Sequence, residues 1–134
     1  MLQNFKMLSI LFGCLYSPVS LSGENLNFKN ISIKSDQVTI DGANKQIIFK
    51  NNIQIKINSY FIKGSEALLS RENEKLQIYG NPATISSSTI NGEAELFEIY
   101  PNKTMNLIGN AKLSNKENTI TSNLIAYQIS SNEY

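Results

Sequence analysis

Three glutamates, Glu93, Glu95 and Glu98, lie within six residues of one another. Neighbouring carboxylates can do acid–base work or hold a cation, and on a strand Glu93 and Glu95 share one face. Such chemistry needs partners that this chain does not supply. It has no histidine and a single cysteine, Cys14, which removes the usual zinc sites and both Ser-His-Asp and Cys-His catalysis. There is no Gly-rich phosphate loop and no nucleophile beside a base. The glutamates therefore read as a solvated outer face. We expect no enzyme activity, no catalytic residue, no metal site and no cofactor. Asn30-Ile31-Ser32 and Asn102-Lys103-Thr104 fit the glycosylation pattern but read as coincidence in an Asn-rich chain. Twelve Lys and Arg against eleven Asp and Glu leave a formal charge of +1, so no excess of cations exists to neutralise phosphates and no nucleic-acid partner is expected.

What remains is apolar chemistry, arranged with a period of two. Ile31/Ile33, Val38/Ile40, Ile47/Phe49, Ile53/Ile55/Ile57, Leu76/Ile78, Met105/Leu107 and Ile125/Tyr127/Ile129 alternate with polar residues. Alternation of this kind gives a strand one buried face and one wet face, and the dominance of isoleucine suits strands over helices. Turn chemistry separates the runs at Asp41-Gly42, Asn51-Asn52, 71–74, Gly80-Asn81-Pro82, Asn91-Gly92, Pro101-Asn102 and Gly109-Asn110.

The first 22 residues read as a leader. Lys6 precedes an apolar run from Met7 to Tyr16, Pro18 ends it, and Ser20-Leu21-Ser22 offers small residues before a cut at Gly23. The run is about ten residues, half the roughly twenty that a membrane span needs. Leu11-Phe12-Gly13-Cys14 loosely resembles a lipoprotein cleavage box, but Phe12 is bulky where a small residue is usual. The expected organisation is a signal peptide over 1–22, a lead over 23–30, one β domain over 31–130 and a tail over 131–134. After cleavage the chain is free of thiols and indifferent to redox state.

The strands themselves repeat. Asn52, Asn81 and Asn110 are 29 residues apart. A second marker recurs as Ile33-Lys34-Ser35, Ile62-Lys63-Gly64, Ile90-Asn91-Gly92 and Ile120-Thr121-Ser122, at spacings of 29, 28 and 30, each followed seven residues on by Ile40, Leu69, Phe97 or Tyr127. A unit of that length has room for two or three strands of about five to seven residues and cannot bury its apolar face alone, so units must stack. The expected fold is all-β, an antiparallel jelly-roll-like stack with two exposed edges that invite pairing with another chain.

Ile33-Lys34-Ser35-Asp36-Gln37, Ile78-Tyr79-Gly80-Asn81-Pro82-Ala83-Thr84, Leu107-Ile108-Gly109-Asn110-Ala111-Lys112-Leu113 and Ile120-Thr121-Ser122-Asn123-Leu124-Ile125-Ala126-Tyr127 resemble the LptA/OstA-like domain family of lipopolysaccharide transport. The resemblance runs over about residues 31–129. It implies a twisted antiparallel roll (a β-taco), a periplasmic location, and lipopolysaccharide acyl chains held in an apolar interior. It also implies end-to-end assembly with further copies and with inner-membrane and outer-membrane transport components through edge-strand pairing. The family's lipid contacts fall here on Ile31, Ile33, Ile85 and Ile99. The short gap from Ile40 to Ile47, and the lack of any resemblance to a C-terminal extension after Tyr134, depart from the family pattern.

Parity alone adds Ile40, Phe49, Ile78, Phe97 and Leu107 to the candidate groove. A trough of Ile, Leu and Phe accepts alkyl chains, because each methylene taken from water gains about 0.8 kcal/mol; the same side chains can equally fill a closed core. Charge is uneven: residues 24–63 carry six lysines and three acids, whereas 64–134 carry five cations and eight acids. In a stack this becomes an axial dipole able to steer head-to-tail encounters. Lys29, Lys34, Lys45, Lys50, Lys56 and Lys63 are candidates for meeting lipid phosphates at the groove mouth. Two alternatives stay open: a membrane-anchored, LptC-like member of the same pathway, which N-terminal sequencing would separate from a cleaved protein, and a closed-core β module binding a protein or glycan.

Overall fold

The alternating runs form eight strands in one antiparallel sheet. The computed structural model describes residues 31–129; the expected leader, the 23–30 lead, the tail, Cys14 and Lys29 lie outside the described residues. The strands are β1 (Ile31–Lys34), β2 (Gln37–Asp41), β3 (Gln46–Ile57), β4 (Tyr60–Ser70), β5 (Lys75–Ser86), β6 (Asn91–Ile99), β7 (Thr104–Ser114) and β8 (Thr119–Gln128). From β3 onward each strand pairs with the next in sequence, and β1 and β2 share the outer side of β3 as two pieces of one edge. No described residue is helical.

The strands are longer than the repeat suggests. One 29-residue unit is a hairpin of two strands, and β3 to β8 run 9–12 residues each. The reason lies at the repeat's own asparagines. Asn51-Asn52, Gly80-Asn81-Pro82 and Gly109-Asn110, expected as turns, sit inside β3, β5 and β7 where the register slips. Asn51, Asn52, Gly109 and Asn110 have φ of 70°, 54°, 89° and 48°. Left-handed backbone serves a β-bulge as well as it serves a turn, so turn chemistry marks a bend in a continuous strand. Asn91-Gly92 likewise opens β6; the chain reverses at 87–90, where the Ser87 N–H donates to the Ile90 carbonyl.

Every pairing from β3–β4 to β7–β8 carries such a slip, and together the slips draw a crease across the sheet. On one side lies a first limb: β2 with 46–50, 66–70, 75–79, 96–99, 104–108 and 124–128. On the other lies a second limb: β1 with 53–57, 60–64, 83–86, 91–94, 111–114 and 119–122. The bulges also change the inward parity within a strand. Inward residues are odd-numbered throughout β3 and β7, but in β4 they change from Tyr60 and Ile62 to Ala67, in β5 from Leu76 and Ile78 to Ala83 and Ile85, and in β6 from Ala94 to Phe97. A sheet buried on one face, with no second layer over it among the described residues, buries that face against itself. The two limbs fold toward each other about the crease and enclose one core, from Ile47 to Ile129.

Two contacts pin the crease from outside. Asn52 Nδ2 donates to Asp36 Oδ2 and Asn110 Nδ2 to Glu95 Oε2, both at 2.7 Å. Gly109 is held under Glu95: a Cβ there would lie 2.5 Å from Glu95 Oε1, and φ is +89°. Gly109→Ala should therefore cost about 1–3 kcal/mol, read as a lower urea midpoint at unchanged slope.

Across the outer face of the first limb, Glu98 accepts from Gln77 Nε2 (3.0 Å), from the Tyr100 hydroxyl (3.1 Å) and from Lys75 Nζ (3.5 Å). Partial burial alone would raise the Glu98 pKa; the hydrogen bonds from Gln77 and Tyr100 and the Lys75 charge outweigh it and hold the carboxyl below its usual value. Burial, with Glu98 beside it, raises the Tyr100 hydroxyl. A lowered folded-state pKa stabilises above the unfolded value, and that contribution is lost as pH falls through the folded value. The stability difference between wild type and Glu98→Gln should thus be present at neutral pH and vanish in acid, as denaturant titrations across that range would show.

Candidate lipid-binding site

All nine residues expected in the groove lie on the inner face. Register sorts them. Phe49, Ile78, Phe97 and Leu107 stand in one row of the first limb, running Val38–Phe49–Ala67–Ile78–Phe97–Leu107–Ile125 across the strands. Ile40 and Ile99 stand in the row beside it. Ile31, Ile33 and Ile85 line the second limb, the last two in the row Ile33–Ile55–Ile62–Ile85–Gly92–Leu113–Ile120. The fold thus brings the family-implied and the parity-derived residues onto the two facing walls of one interior.

That interior is packed along its middle. Ile78, Ile85, Phe97, Ile99 and Leu107 are fully buried and Phe49 nearly so. The surface clefts lie elsewhere. One of about 570 Å³ is lined by Glu93, Asn110, Lys112, Thr121 and neighbours, another of about 420 Å³ by Asn73, Glu74 and Tyr100 to Thr104. Neither includes any of the nine. The structure therefore shows a closed centre, where the resemblance implies an open trough.

The apolar walls are bare only at two corners. On the N-terminal edge it is the first limb that is uncovered, with Val38 51% and Ile40 71% exposed; on the C-terminal edge it is the second limb, with Ile120 56% exposed. The other two corners, Ile31 with Ile33 and Ile125 with Tyr127, are partly buried against the core. Sheet twist accounts for this: two limbs of one twisted sheet cross instead of lying flush, so each overhangs its partner at an opposite end. The crossing is fixed by a phenol pair that the sequence did not reveal. Tyr60, on the second limb, meets Tyr127, on the last strand of the first limb, with hydroxyls 3.1 Å apart and rings edge to face at 6.2 Å. Just beyond, the buried Ile129 donates its N–H to the Lys103 carbonyl at 2.8 Å. Val38, Tyr60, Ile62 and Tyr127 belong with the nine. Val38 and Tyr127 already stood in the alternation and Ile62 in the repeat marker, whereas Tyr60 stood in neither.

The lysines do not stand at the groove mouth. Lys34, Lys56 and Lys63 alternate with the inward Ile33, Ile55 and Ile57, and Ile62, so they face outward from the second limb. Lys50 lies on the outer face opposite Gln37 and Glu66, and Lys45 is in a turn. Glu93, Glu95 and Glu98 also lie off the inner face, but Glu98 is not a solvated surface carboxylate, being 15% exposed and bonded to Gln77, Tyr100 and Lys75. Among the described residues there is no group of His, Cys, Asp and Glu able to hold a metal ion.

The fold is an antiparallel sheet creased into two limbs around a largely apolar interior, in which Ser70 is the buried polar residue among those described. The family model for LptA and the LptD N-terminal domain, lipopolysaccharide-transport proteins, matches residues 32–133, and the chain belongs to that family. The fold is similar to the crystal structure of LptH, the LptA-homologous periplasmic component of the lipopolysaccharide transport device of Pseudomonas aeruginosa. That match has a TM-score of 0.66 and 17% identity, and covers 73% of this chain and 75% of that one. No curated protein matches the chain in sequence.

Proposed function

We propose that this protein is a non-enzymatic periplasmic carrier that takes lipopolysaccharide acyl chains between its limbs and passes them along an end-to-end assembly. The observation that carries the reading is the pair of bare corners. An apolar wall left uncovered at each end of a stack, beside a strand edge with no neighbour among the described residues, is a site where an alkyl chain can enter and a second β-stack can continue the sheet. Burying about ten methylenes gains on the order of 8 kcal/mol, enough to part the limbs locally without one specific polar contact. Ile40, at the bare corner of the N-terminal edge, is the entry residue, and Ile31 and Ile33 stand on the partly buried wall of the same edge. Ile85, Phe97, Ile99, Leu107, Ile78 and Phe49 line the path once the limbs separate.

Head-to-tail contact follows from the same geometry. β1 with β2 offers one edge and β8 the other, and β-augmentation joins such edges. Charge runs with the stack: the described residues up to 63 hold five lysines and two acids, and those from 64 on hold five cations and seven acids. Inner-membrane and outer-membrane transport components would use the two terminal edges in the same way.

The test is photocrosslinking from positions 33, 85 and 99 in cells that make lipopolysaccharide, with outward-facing Thr84 as control. Adducts from the three inner positions and none from Thr84 are expected. Capture from Thr84 as readily as from position 85, or from none of the three, would sink the carrier reading.

A further inference from the structure

The outer surface of the second limb differs in kind from that of the first. Its outward positions are small hydroxyl residues and amides, such as Ser86, Ser114 and Thr119, interrupted by four lysines, one phenylalanine and one glutamate. Glu93 stands opposite Lys112 in register. That leaves Lys34, Lys56 and Lys63 together toward the N-terminal edge with no carboxylate on the second-limb part of β1, β3 or β4; Asp36 stands at the crease, bonded to Asn52, and Glu66 beyond it, opposite Lys50. None of the three lysines is in an ion pair among the described residues. Phe61 rises among them, 37% exposed. It is directly opposite Lys56, and Lys63 Nζ lies 5.6 Å from its ring centre. The first limb's outer face, by contrast, offsets Lys50 with Glu66 across the strands and Lys75 with Glu98.

We propose that this face is a docking surface for an anionic phospholipid bilayer, with Phe61 as the apolar contact and Lys34, Lys56 and Lys63 as the cationic ring around it. Charge complementarity selects the occupant. Cations with no acid between them, on a face of short side chains, approach a plane of phosphates without desolvating any carboxylate. A lone aromatic ringed by lysines suits the boundary between headgroups and acyl chains. Lys56, Phe61 and Lys63 stand on β3 and β4, which are hydrogen-bonded on both sides, and Lys34 on the edge strand β1, which is held from β3 alone. The surface lies on the opposite side of the sheet from the apolar interior, so a docked molecule keeps its interior and both edges accessible. The inference does not depend on the acyl-chain reading.

Each lysine near an anionic surface strengthens binding about fivefold. Flotation of the purified protein with phosphatidylcholine vesicles, with and without phosphatidylglycerol, tests the idea. We expect binding to the phosphatidylglycerol vesicles alone, weakening as salt rises. The triple variant Lys34→Gln, Lys56→Gln, Lys63→Gln should bind about a hundredfold more weakly. Phe61→Ser should bind several-fold more weakly with its salt dependence intact. A second triple, Lys45→Gln, Lys103→Gln, Lys116→Gln, removes the same net charge from turns and should bind as wild type. Equal loss in both triples, equal binding to uncharged vesicles, or capture of dispersed lipopolysaccharide but not of phosphatidylglycerol vesicles would each overturn the proposal. So would a change in the protein's own sedimentation in the first triple, because the face would then be a contact between copies.

Discussion

Phe97→Ala should lower the unfolding free energy by about 3–5 kcal/mol, the usual loss when a buried phenylalanine is cut to alanine in a core that cannot collapse. The figure follows from where the ring sits. Phe97 is fully buried, with Ile78 and Leu107 on either side of it in the same row. Those neighbours are anchored in β5 and β7, whose backbones are hydrogen-bonded on both sides and are not free to move inward. A domain of this size is stable by only about 5–15 kcal/mol, so the variant should unfold at a much lower urea concentration. The measurement also decides how the interior is used at rest. If Phe97 lined a water-filled trough, its truncation would remove area already exposed and the loss would be under about 1 kcal/mol. A loss near the larger value means the limbs are closed in the free protein and open only for cargo. Acyl ligand should then raise the midpoint of both proteins, as a ligand that binds only the folded state must.

The sequence shows the sheet plainly and its bends poorly. Isoleucines at every second position give strand identity and the inner face because a pleated strand has no other way to segregate them. The 29-residue period gives the stacking because identical units pair with identical register. The crease was not legible. Asn52, Asn110 and Gly109 carry the left-handed preference that both turns and bulges need, and what decides between them is whether the neighbouring strand continues past the site. That is a fact about the partner and not about the asparagine. The parity changes within β4, β5 and β6 have the same origin. The inner wall was legible because alternation assigns apolar residues to one side of each strand, and all nine candidates face inward. Its closure was not, since whether facing walls touch depends on the angle between the limbs. The Tyr60–Tyr127 pair, 67 residues apart, shows that angle only in three dimensions. The lysines mislead for a related reason: a sequence shows that they alternate with isoleucines, and only the fold shows that the far side of that alternation is an outer surface.

The second large effect concerns the two bare corners, and it separates directional assembly from ordinary stickiness. Ile40→Asp and Ile120→Lys alter side chains already mostly in water, so neither should shift thermal unfolding appreciably. Each should raise the dissociation constant for self-association by about a hundredfold or more, because covering an isoleucine contributes roughly 1.5–3 kcal/mol and a charge in its place must also be desolvated. Sedimentation over a concentration series reads both effects. The decisive sample is the mixture. A head-to-tail contact uses two different surfaces, so Ile40→Asp spoils one end and leaves the other sound, and Ile120→Lys does the converse. Mixed in equal amounts, the variants retain a single compatible pairing, between the intact C-terminal edge of the first and the intact N-terminal edge of the second. Both remaining ends are blocked. Two variants that are each monomeric alone should therefore form heterodimers together and stop there. An isologous contact, with the same patch on both partners, would give no such rescue. Association indifferent to both substitutions would place the interface away from the edges altogether.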